Sequence, residues 1–166
     1  MNDDRITRIA DAVVRGLGET VQNVASDGGF GLKQAKLLIE KVEARAREMG
    51  VKAVVAVSNA AARPIAVECM DDSYIASYDV AVNKAFTVVA LKMSTKQLST
   101  LAKPEGSLYG IQHTNDGKIV IFGGGDPLIY NGKIVGGLGV SGGSEEQDTA
   151  LSAYGASCIN EIMEIL

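Results

Sequence analysis

The dipeptide Asn131-Gly132 is the sequence feature that most limits what this chain can fold into. Asn-Gly readily takes the positive φ angles of a two-residue hairpin turn, and it stands between the strand-like runs 128–130 and 133–141. Strands that are joined by a two-residue turn pair antiparallel. The dipeptide therefore predicts a β-hairpin in the C-terminal part of the chain and an antiparallel sheet around it.

Two more pairs of runs with strand composition are joined by short turns. Residues 51–58 and 64–69 are rich in β-branched side chains and predict an antiparallel hairpin. Residues 109–114 and 118–122 flank Asn115-Asp116-Gly117 and predict strands as well. Because turns rather than helices join neighbouring strands, we expect a mainly antiparallel sheet.

Four segments place apolar side chains at helical spacing and carry helix start or stop signals. The first begins near Leu32 and ends at Gly50, and the second is capped by residues 71–73. The third and fourth begin at capping boxes that open with Ser94 and Ser144. The order of elements predicts an α+β domain with helices on both faces of the sheet. The stripe expected to face inward on the second helix consists of Ile75, Tyr78, Val82, Ala85, Phe86 and Val89.

The first 31 residues differ from the rest of the chain. Residues 4–21 carry apolar side chains at helical spacing, with charged residues around the remainder of the helical wheel, and predict a short amphipathic helix. Residues 22–31 mix small, polar and glycine residues and show neither the helical nor the strand periodicity of apolar side chains, which is typical of a linker. We therefore divide the chain into an N-terminal helix with a linker, 1–31, and one domain, 32–166.

Charge and hydropathy argue against several classes of partner. The chain carries 16 basic and 20 acidic residues, for a net charge of −4, and lacks the basic cluster that binds nucleic acid. Its apolar runs fall short of the roughly 20 residues that a membrane span needs, and its first residues are acidic where a secretory signal is basic. Cys69 and Cys158 lack a C-x-x-C partner, so we expect neither a disulfide framework nor a zinc site. We expect a cytoplasmic protein without a nucleic-acid or membrane partner.

The run 137–142 matches the dinucleotide-binding pattern G-x-G-x-x-G, but its context does not. The helix that follows it is the last element, so no βαβ unit can form, and acidic residues occupy the first turn where a pyrophosphate would bind. We expect these glycines to let a strand curve or another backbone approach closely. The chain also lacks G-x-S-x-G, H-E-x-x-H and Walker-type motifs, so its sequence leaves open whether it is an enzyme.

Three features are candidates for ligand binding. The loop Gly123-Gly124-Gly125 before Asp126-Pro127 can either cradle a carboxylate with its N–H groups or simply bend the chain. His113 is the only histidine, and histidine is a common axial ligand of heme iron, although a lone histidine is more often a partly buried polar residue. Asn83 and Lys84 lie at the edge of an apolar stripe, where they could reach a ligand, with Lys84 holding a propionate, or face solvent.

Taken in order, Asn83-Lys84-Ala85, the glycine run 123–127, the glycine-rich run 136–143 and Gln147-Asp148 resemble the GlcG/HbpS-like heme-degrading-domain family. The C-terminal domain of PduO-type cobalamin adenosyltransferases belongs to the same group. The resemblance covers residues 32–166. It implies a profilin-like (GlcG-like) fold of three layers, α/β/α, in which helices flank a five-stranded antiparallel sheet. It also implies a homo-oligomer that binds heme, with a corrinoid as the less favoured tetrapyrrole.

No ligand pattern of the family maps cleanly onto this chain, and no adenosyltransferase domain stands before residue 32, so we do not expect cobalamin adenosylation. The candidates for holding heme iron are His113, with Met70 and Cys69 as softer alternatives. Asn83, Lys84 and the glycines 123–125 are candidates for its surroundings. Our leading hypothesis from the sequence is a heme-binding accessory protein.

The N-terminal segment supports a second hypothesis. Residues 4–21 resemble the encapsulation peptides that direct cargo into bacterial microcompartments, by docking an apolar helical face on a shell or cargo protein. The alternative is a helix that folds back on its own domain or on a neighbouring subunit. The protein could then be a structural or assembly factor inside a microcompartment. A third hypothesis is an enzyme that acts on heme, a corrinoid or a small organic acid.

Overall fold

A computed structural model describes residues 29–165 of the chain. Its elements are, in chain order, α1 (Leu32–Glu48), β1 (Val54–Asn59), β2 (Pro64–Cys69), α2 (Ser77–Ala90), α3 (Thr95–Ala102), β3 (Gly125–Tyr130), β4 (Lys133–Ser141), α4 (Glu145–Ser157) and α5 (Ile159–Glu164). Two short 3₁₀ helices, Ile111–His113 and Asn115–Gly117, lie between α3 and β3. The predicted amphipathic helix over 4–21 and most of the predicted linker lie outside the described residues.

The strands form one antiparallel sheet in the order β2-β1-β4-β3. Asn131 and Gly132 join β3 to β4 with φ angles of 49° and 74°, which confirms the predicted hairpin. β1 and β2 form the other predicted hairpin, with Val54 opposite Cys69. The sheet is therefore antiparallel as expected, with β1 and β4 at its centre.

The expected fifth strand is absent from residues 29–165, where the sheet has four strands. The predicted strands between residues 109 and 122 are replaced by the two 3₁₀ helices and an irregular segment. The turn residues 115–117 all take positive φ angles, of 51°, 56° and 74°, which wind the chain into a helical turn instead of a two-residue hairpin. The N–H group of Val120 then donates to the hydroxyl oxygen of Thr87 at 3.0 Å. This backbone group is thus satisfied by a helix side chain rather than by a neighbouring strand.

Helices cover both faces of the sheet, which confirms the expected three layers. On one face, α1, α4 and α5 pack against alternate side chains of the two central strands. On the other face, α2 packs through Ala81 and Ala85 against Val54 and Ala56 of β1. The larger core, on the first face, consists of Ala35, Leu38, Ile39, Val42, Ala46, Val51, Ala53, Val55, Val57, Leu128, Leu138, Val140, Leu151, Cys158, Ile159 and Ile162.

Two glycines of β4 let α2 approach the sheet closely. A Cβ atom on Gly139 would overlap the carbonyl oxygen of Ala81 and lie 2.7 Å from the backbone nitrogen of Ala85. A Cβ atom on Gly137 would overlap the carbonyl oxygen of Ala85. This confirms the prediction that glycines in the run 137–142 serve the close approach of another backbone.

The face that α2 turns towards the sheet differs from the predicted stripe. Ile75 is 97% exposed and Tyr78 is 49% exposed, although both were expected to face inward. The helix also begins after Ala76 instead of at the predicted cap over 71–73. Because the backbones of α2 and β4 nearly touch, small side chains occupy the contact and bulky ones point away. The residues of α2 that are buried are Ser77, Ala81, Lys84, Ala85, Thr87 and Val88.

The predicted starts of the later helices are confirmed. The Ser144 hydroxyl accepts a hydrogen bond from the N–H group of Gln147, whose side-chain oxygen accepts one from the N–H group of Ser144. Ser94 caps α3 by accepting from the N–H group of Gln97 at 3.1 Å. The predicted last helix is interrupted at Cys158 and forms α4 and α5. Within the described range, every helix is too short or too polar to cross a membrane.

Replacing Gly139 by alanine should destabilise the protein, because the added methyl group would push α2 away from β4. We expect the free energy of unfolding to fall by about 1–3 kcal/mol, measured by chemical denaturation. Gly31→Ala is the matched control, since its Cβ would find Gln34 Oε1 at 3.6 Å, an ordinary contact. In the control, the free energy of unfolding should fall by about 1 kcal/mol or less. Equal losses in the two variants would contradict the role of the close approach.

Candidate functional site

A buried ion pair joins α2 to the beginning of α4. The ammonium of Lys84 donates to Asp148 Oδ2 at 3.0 Å and to the carbonyl oxygen of Val140 at 2.7 Å. The Lys84 side chain is fully buried and that of Asp148 nearly so. The ammonium also lies 5.0 Å from the centre of the Phe122 ring, which is a cation–π distance. The charge of Lys84 is therefore balanced inside the protein.

Local structure at the start of α4 holds Asp148 in position. The capping box at Ser144 sets the first turn of α4, and Asp148 belongs to that turn. The N–H group of Gly143 donates to Asp148 Oδ1 at 2.9 Å. A carboxylate is favoured at this end of a helix because the free N–H groups and the helix dipole are positive there.

The glycine loop, Gly123-Gly124-Gly125, packs directly against this ion pair. Gly124 has a φ angle of +110°, and a Cβ atom there would lie 2.5 Å from Lys84 Nζ and 2.7 Å from Asp148 Cβ. A side chain at this position would therefore collide with both partners of the ion pair. The loop and the ion pair form one packed unit.

Two N–H groups of the glycine loop bind side chains of the same chain. The N–H group of Gly123 donates to Glu145 Oε1 at 3.0 Å, and that of Gly125 donates to the hydroxyl of Thr95 at 2.9 Å. The hydrogen bond from Gly123 is the main reason why the pKa of Glu145 is lowered. The loop thus binds a carboxylate, but that carboxylate belongs to α4.

Burial shifts the pKa of both members of the ion pair. Burial lowers the pKa of the Lys84 ammonium, and the attraction of Asp148 opposes that shift. Burial raises the pKa of Asp148, and Lys84 together with the N–H group of Gly143 opposes it. Each charge is tolerated in the interior because the other is present, so that removing one partner would leave an uncompensated charge.

Asp126 follows the glycine loop and lies half-buried beside α4. Its Oδ2 accepts a hydrogen bond from the hydroxyl of the buried Ser152 at 2.6 Å. Burial raises the pKa of Asp126, and the hydrogen bond from Ser152 opposes the shift. None of the ion pairs formed by residues 29–165 includes Asp126.

A cleft of about 480 Å³ opens where α1 ends, and we call it the α1-end cleft. Its walls come from the end of α1, the chain that leads into β1, and the end of β2. Its volume falls within the range of small-molecule sites, about 300–1,000 Å³. The residues that line it are Glu43, Arg47, Gly50, Val51, Lys52, Cys69, Met70 and Asp71.

Two sulfur-containing side chains are neighbours in the wall of the α1-end cleft. Cys69 is an exposed free thiol. Met70 is partly buried, and its sulfur accepts a hydrogen bond from the N–H group of Ala53 at 3.3 Å. A thiolate and a thioether are both soft ligands that proteins use to hold heme iron.

Two cations line the same cleft. The guanidinium of Arg47 binds Glu43 at 2.9 Å, and the ammonium of Lys52 binds Asp72 at 2.7 Å. Both cationic side chains are more than half exposed, so these ion pairs are weak and can exchange for other carboxylates. The cleft therefore combines soft ligands with cations that can bind an organic anion.

The other predicted residues lie apart from the α1-end cleft. His113 is exposed and ends the first 3₁₀ helix. Asn83 is half-buried on α2, and its carbonyl oxygen accepts a hydrogen bond from the hydroxyl of Thr87 at 2.7 Å. Residues 29–165 contain no group of three histidine, cysteine or carboxylate side chains that could hold a metal ion.

The structure brings together some of the predicted site residues and separates others. Lys84 and the glycine loop are in contact. Met70 follows β2 at one edge of the sheet, whereas Gly125 begins β3 at the opposite edge. His113 lies in the segment between α3 and β3. The predicted residues are thus distributed over more than one place, and their roles in ligand binding stay predictions.

Sequence reasoning missed three residues. Asp148 seemed to be explained by its place in the first turn of a helix, which concealed its pairing with Lys84. Arg47 and Lys52 were not singled out, because Arg47 is one of several charged residues at the end of α1 and Lys52 is a single charged residue in the apolar run that leads into β1. The one available sign of a buried charge was that Lys84 shares a side of the helix with the small residues Ala81 and Ala85.

Replacing Lys84 by methionine should reduce the free energy of unfolding by about 3–5 kcal/mol, because Asp148 would remain buried without its partner. In the double variant Lys84→Met/Asp148→Leu, the free energy of unfolding should fall clearly less, since neither charge remains. Lys41→Met is the matched control, as Lys41 pairs with Glu161 at 3.0 Å on the surface and should contribute about 1 kcal/mol or less. Chemical denaturation measures all three. A double variant as unstable as the single one would contradict the charge argument.

Replacing Asp126 by asparagine should stabilise the protein at neutral pH, because it removes a charge that is disfavoured by burial. The folded pKa lies above the value of 3.8 in the unfolded chain, so the folded state gains protons first as the pH falls. The advantage of the variant should therefore shrink as the pH falls through the folded pKa towards 3.8. Asp71→Asn, at an exposed position, is the control in parallel thermal melts. A difference in melting temperature between Asp126→Asn and the wild type that does not change with pH would rule out this explanation.

Comparisons with known proteins agree with the fold. The sequence model of a family described as haem degrading protein HbpS-like matches residues 30–157. A Citrobacter freundii protein, the uncharacterized 15.0 kDa protein in the dhaT-dhaS intergenic region, is 41% identical over 131 residues, which cover 79% of this chain and 92% of that protein. The corrinoid adenosyltransferase PduO of Salmonella typhimurium is 39% identical over 116 residues, which cover 70% of this chain but 34% of PduO.

A solved structure matches the fold directly. The crystal structure of a PduOC:heme complex has a TM-score of 0.76 and 35% sequence identity, and the match covers 80% of this chain and 96% of that chain. The family match, the related sequences and this structure agree over the same domain. The chain therefore belongs to the HbpS-like family.

Proposed function

We propose that the protein binds a heme-type tetrapyrrole in the α1-end cleft. The observation that carries the proposal is the combination, in one cleft, of the soft ligands Met70 and Cys69 with the cations Arg47 and Lys52. A heme-type tetrapyrrole takes side chains such as methionine or cysteine as ligands of its iron and cations as partners of its carboxylates. The donor set of this cleft fits both needs.

Met70 and Cys69 are the residues that would hold the iron. The hydrogen bond that Met70 now receives from Ala53 is weak, because a thioether is a poor acceptor, so the sulfur can be released for a stronger bond. Cys69 is exposed and needs no rearrangement to be reached. When bound, heme would supply a redox-active iron, and the identity of the side chain that holds it would influence its reduction potential.

Arg47 and Lys52 would hold the propionates. Arg47 binds Glu43 through one nitrogen and has further N–H groups for a carboxylate. Lys52 would exchange its exposed partner Asp72 for a propionate of the same charge. Charge-assisted hydrogen bonds of this kind fix the orientation of a ligand more than they increase its affinity.

The related proteins support heme over a corrinoid. The match to the PduOC:heme complex covers 96% of that chain, whereas the match to the corrinoid adenosyltransferase covers 34% of that protein. A homo-oligomer, as the resemblance implies, is part of the proposal. Contact of residues 4–21 with a microcompartment shell or cargo protein, and a location inside a microcompartment, are predictions that concern residues outside the described range.

Titration of the purified protein with hemin, followed by visible absorption, tests the proposal. We expect a saturable shift of the Soret band in the wild type, and affinities at least about tenfold weaker in Met70→Ala or Cys69→Ser, which corresponds to the loss of about 1.4 kcal/mol. Arg47→Ala should weaken binding by about threefold to tenfold, as expected for one exposed charge pair. Thermal melts of the same samples show whether each variant is folded.

Two control variants sharpen the result. Met93→Ala removes a methionine that lies outside the lining of the cleft, and it should bind hemin like the wild type. His113→Ala should also bind normally if the ligands come from the cleft. Loss of binding in His113→Ala with normal binding in Met70→Ala and Cys69→Ser would move the site to the 3₁₀ segment. No saturable shift in the wild type would overturn the proposal as a whole.

A further inference from the structure

A shallow groove runs along the end of the sheet where the turn between β3 and β4 lies. It consists of three adjoining cavities of about 530, 460 and 410 Å³, and Lys133, just after the turn, lines all three. The first two cavities also share Phe30, and the last two share Ala60, so the groove is continuous. We call it the hairpin groove. Its apolar lining includes Phe30, Ala60, Tyr130, Ile134, Val135 and Met163.

The lining of the hairpin groove is apolar and only partly covered by residues 29–165. Tyr130, Ile134 and Met163 are each half-buried. The charged side chains that line the groove within the described range are the lysines Lys92 and Lys133, without an aspartate or a glutamate. Neither lysine takes part in an ion pair formed inside that range. The groove therefore presents apolar surface with a positive edge.

The described part of the chain begins in the wall of this groove. Gly29 lines the same cavity as Met163. Phe30 packs against the larger core and lies over β4, where a Cβ atom on Gly136 would be 3.0 Å from Cε1 of its ring. The packing of Phe30 fixes the point from which residues 1–28 extend. Those residues are thus attached directly beside the groove.

The sequence of the preceding segment fits an apolar groove with a positive edge. Residues 4–21 carry an apolar stripe at helical spacing, and at about 100° per residue Arg8 and Arg15 fall on the side opposite that stripe. The stripe can therefore contact the groove without bringing either arginine next to Lys133. As a helix the segment is about 27 Å long. The residues that make up the stripe are Ile6, Ile9, Ala10, Val13, Leu17 and Val21.

We propose that residues 4–21 dock their apolar stripe in the hairpin groove of the same chain. Residues 22–28 can span up to about 23 Å, which is long enough for the segment to turn back from Gly29. A short tether gives the segment an effective concentration in the millimolar range, so a shallow groove is sufficient. A separate partner would need a larger surface, roughly 800 Å² on each side in a standard interface.

The proposal is independent of the tetrapyrrole site. The hairpin groove lies where β1 ends, whereas the α1-end cleft lies where β1 begins, so the two are at opposite ends of the sheet. Contact of the stripe on residues 4–21 with a shell or cargo protein would require its release from the groove. Docking in the same chain would thus compete with the contact predicted from the sequence.

Limited proteolysis of the full-length protein with trypsin, followed by mass spectrometry, tests the docking. The rate of cleavage after Arg15 reports the fraction of molecules in which the segment is released. Ile9→Ser in the stripe and Ile134→Ser in the groove should each speed this cleavage at least about tenfold over the wild type. Met163→Ser is a second groove variant with the same expected effect. Unchanged cleavage within residues 29–165 shows that each variant is folded.

Two control variants and a double variant make the result specific. Ile75→Ser, at a residue that is 97% exposed and does not line the groove, should be cleaved after Arg15 like the wild type. Glu19→Gln, within the segment but off its stripe, should also behave like the wild type. In Ile9→Ser/Ile134→Ser the acceleration should be clearly less than the product of the two single effects, because both changes remove the same contact. An acceleration equal to that product would overturn the contact.

Other occupants of the hairpin groove predict different results. If a different protein covers it, the wild type should be cleaved after Arg15 as fast as Ile9→Ser. If the segment docks in the groove of a second copy of the chain, the protection of Arg15 in the wild type should weaken as the protein is diluted. Either outcome would overturn docking within one chain. Slow cleavage after Arg15 that is independent of concentration and is lost in both groove variants would support it.

Discussion

The close approach of α2 to β4 at Gly137 and Gly139 is the constraint on which the rest of the structure depends. No side chain separates the helix from the strand there, so the small residues Ala81 and Ala85 must face the sheet. That requirement sets the rotation of the helix about its axis. It carries Lys84 into the interior and turns Ile75 outward. One steric contact thus accounts for both a buried charge and an exposed isoleucine.

The buried charge in turn requires partners from other layers of the fold. Asp148 comes from α4 and the carbonyl oxygen of Val140 comes from β4, while Gly124 leaves the space that the ammonium needs. The helix on one face, the sheet and a helix on the other face are therefore connected at one point. An arrangement of the layers that buried one of these charges without the other would be strongly unfavourable. The ion pair consequently contributes to the choice of this arrangement.

The residues that carry the family resemblance mostly belong to this connection. Lys84, the glycine run 123–127 and Asp148 lie at or next to the ion pair, whereas the lining of the α1-end cleft comes from residues outside the motifs. The resemblance therefore predicted the fold more directly than it predicted a binding site. Function depends on the chemistry of particular side chains, and related chains can share a framework while they differ in those side chains.

The sequence by itself determined the antiparallel hairpins, the capped helices and the three-layer class, because turn residues, capping boxes and hydrophobic periodicity act over a few neighbouring residues. It did not reveal that the segment before the glycine loop forms no strand. There the hydroxyl of Thr87 accepts the hydrogen bond from the N–H group of Val120 that a neighbouring strand would otherwise have accepted. Nor did it determine which face of α2 is buried or which carboxylate meets Lys84. Those outcomes depend on contacts between residues up to 64 positions apart, which exist only when the layers are packed together.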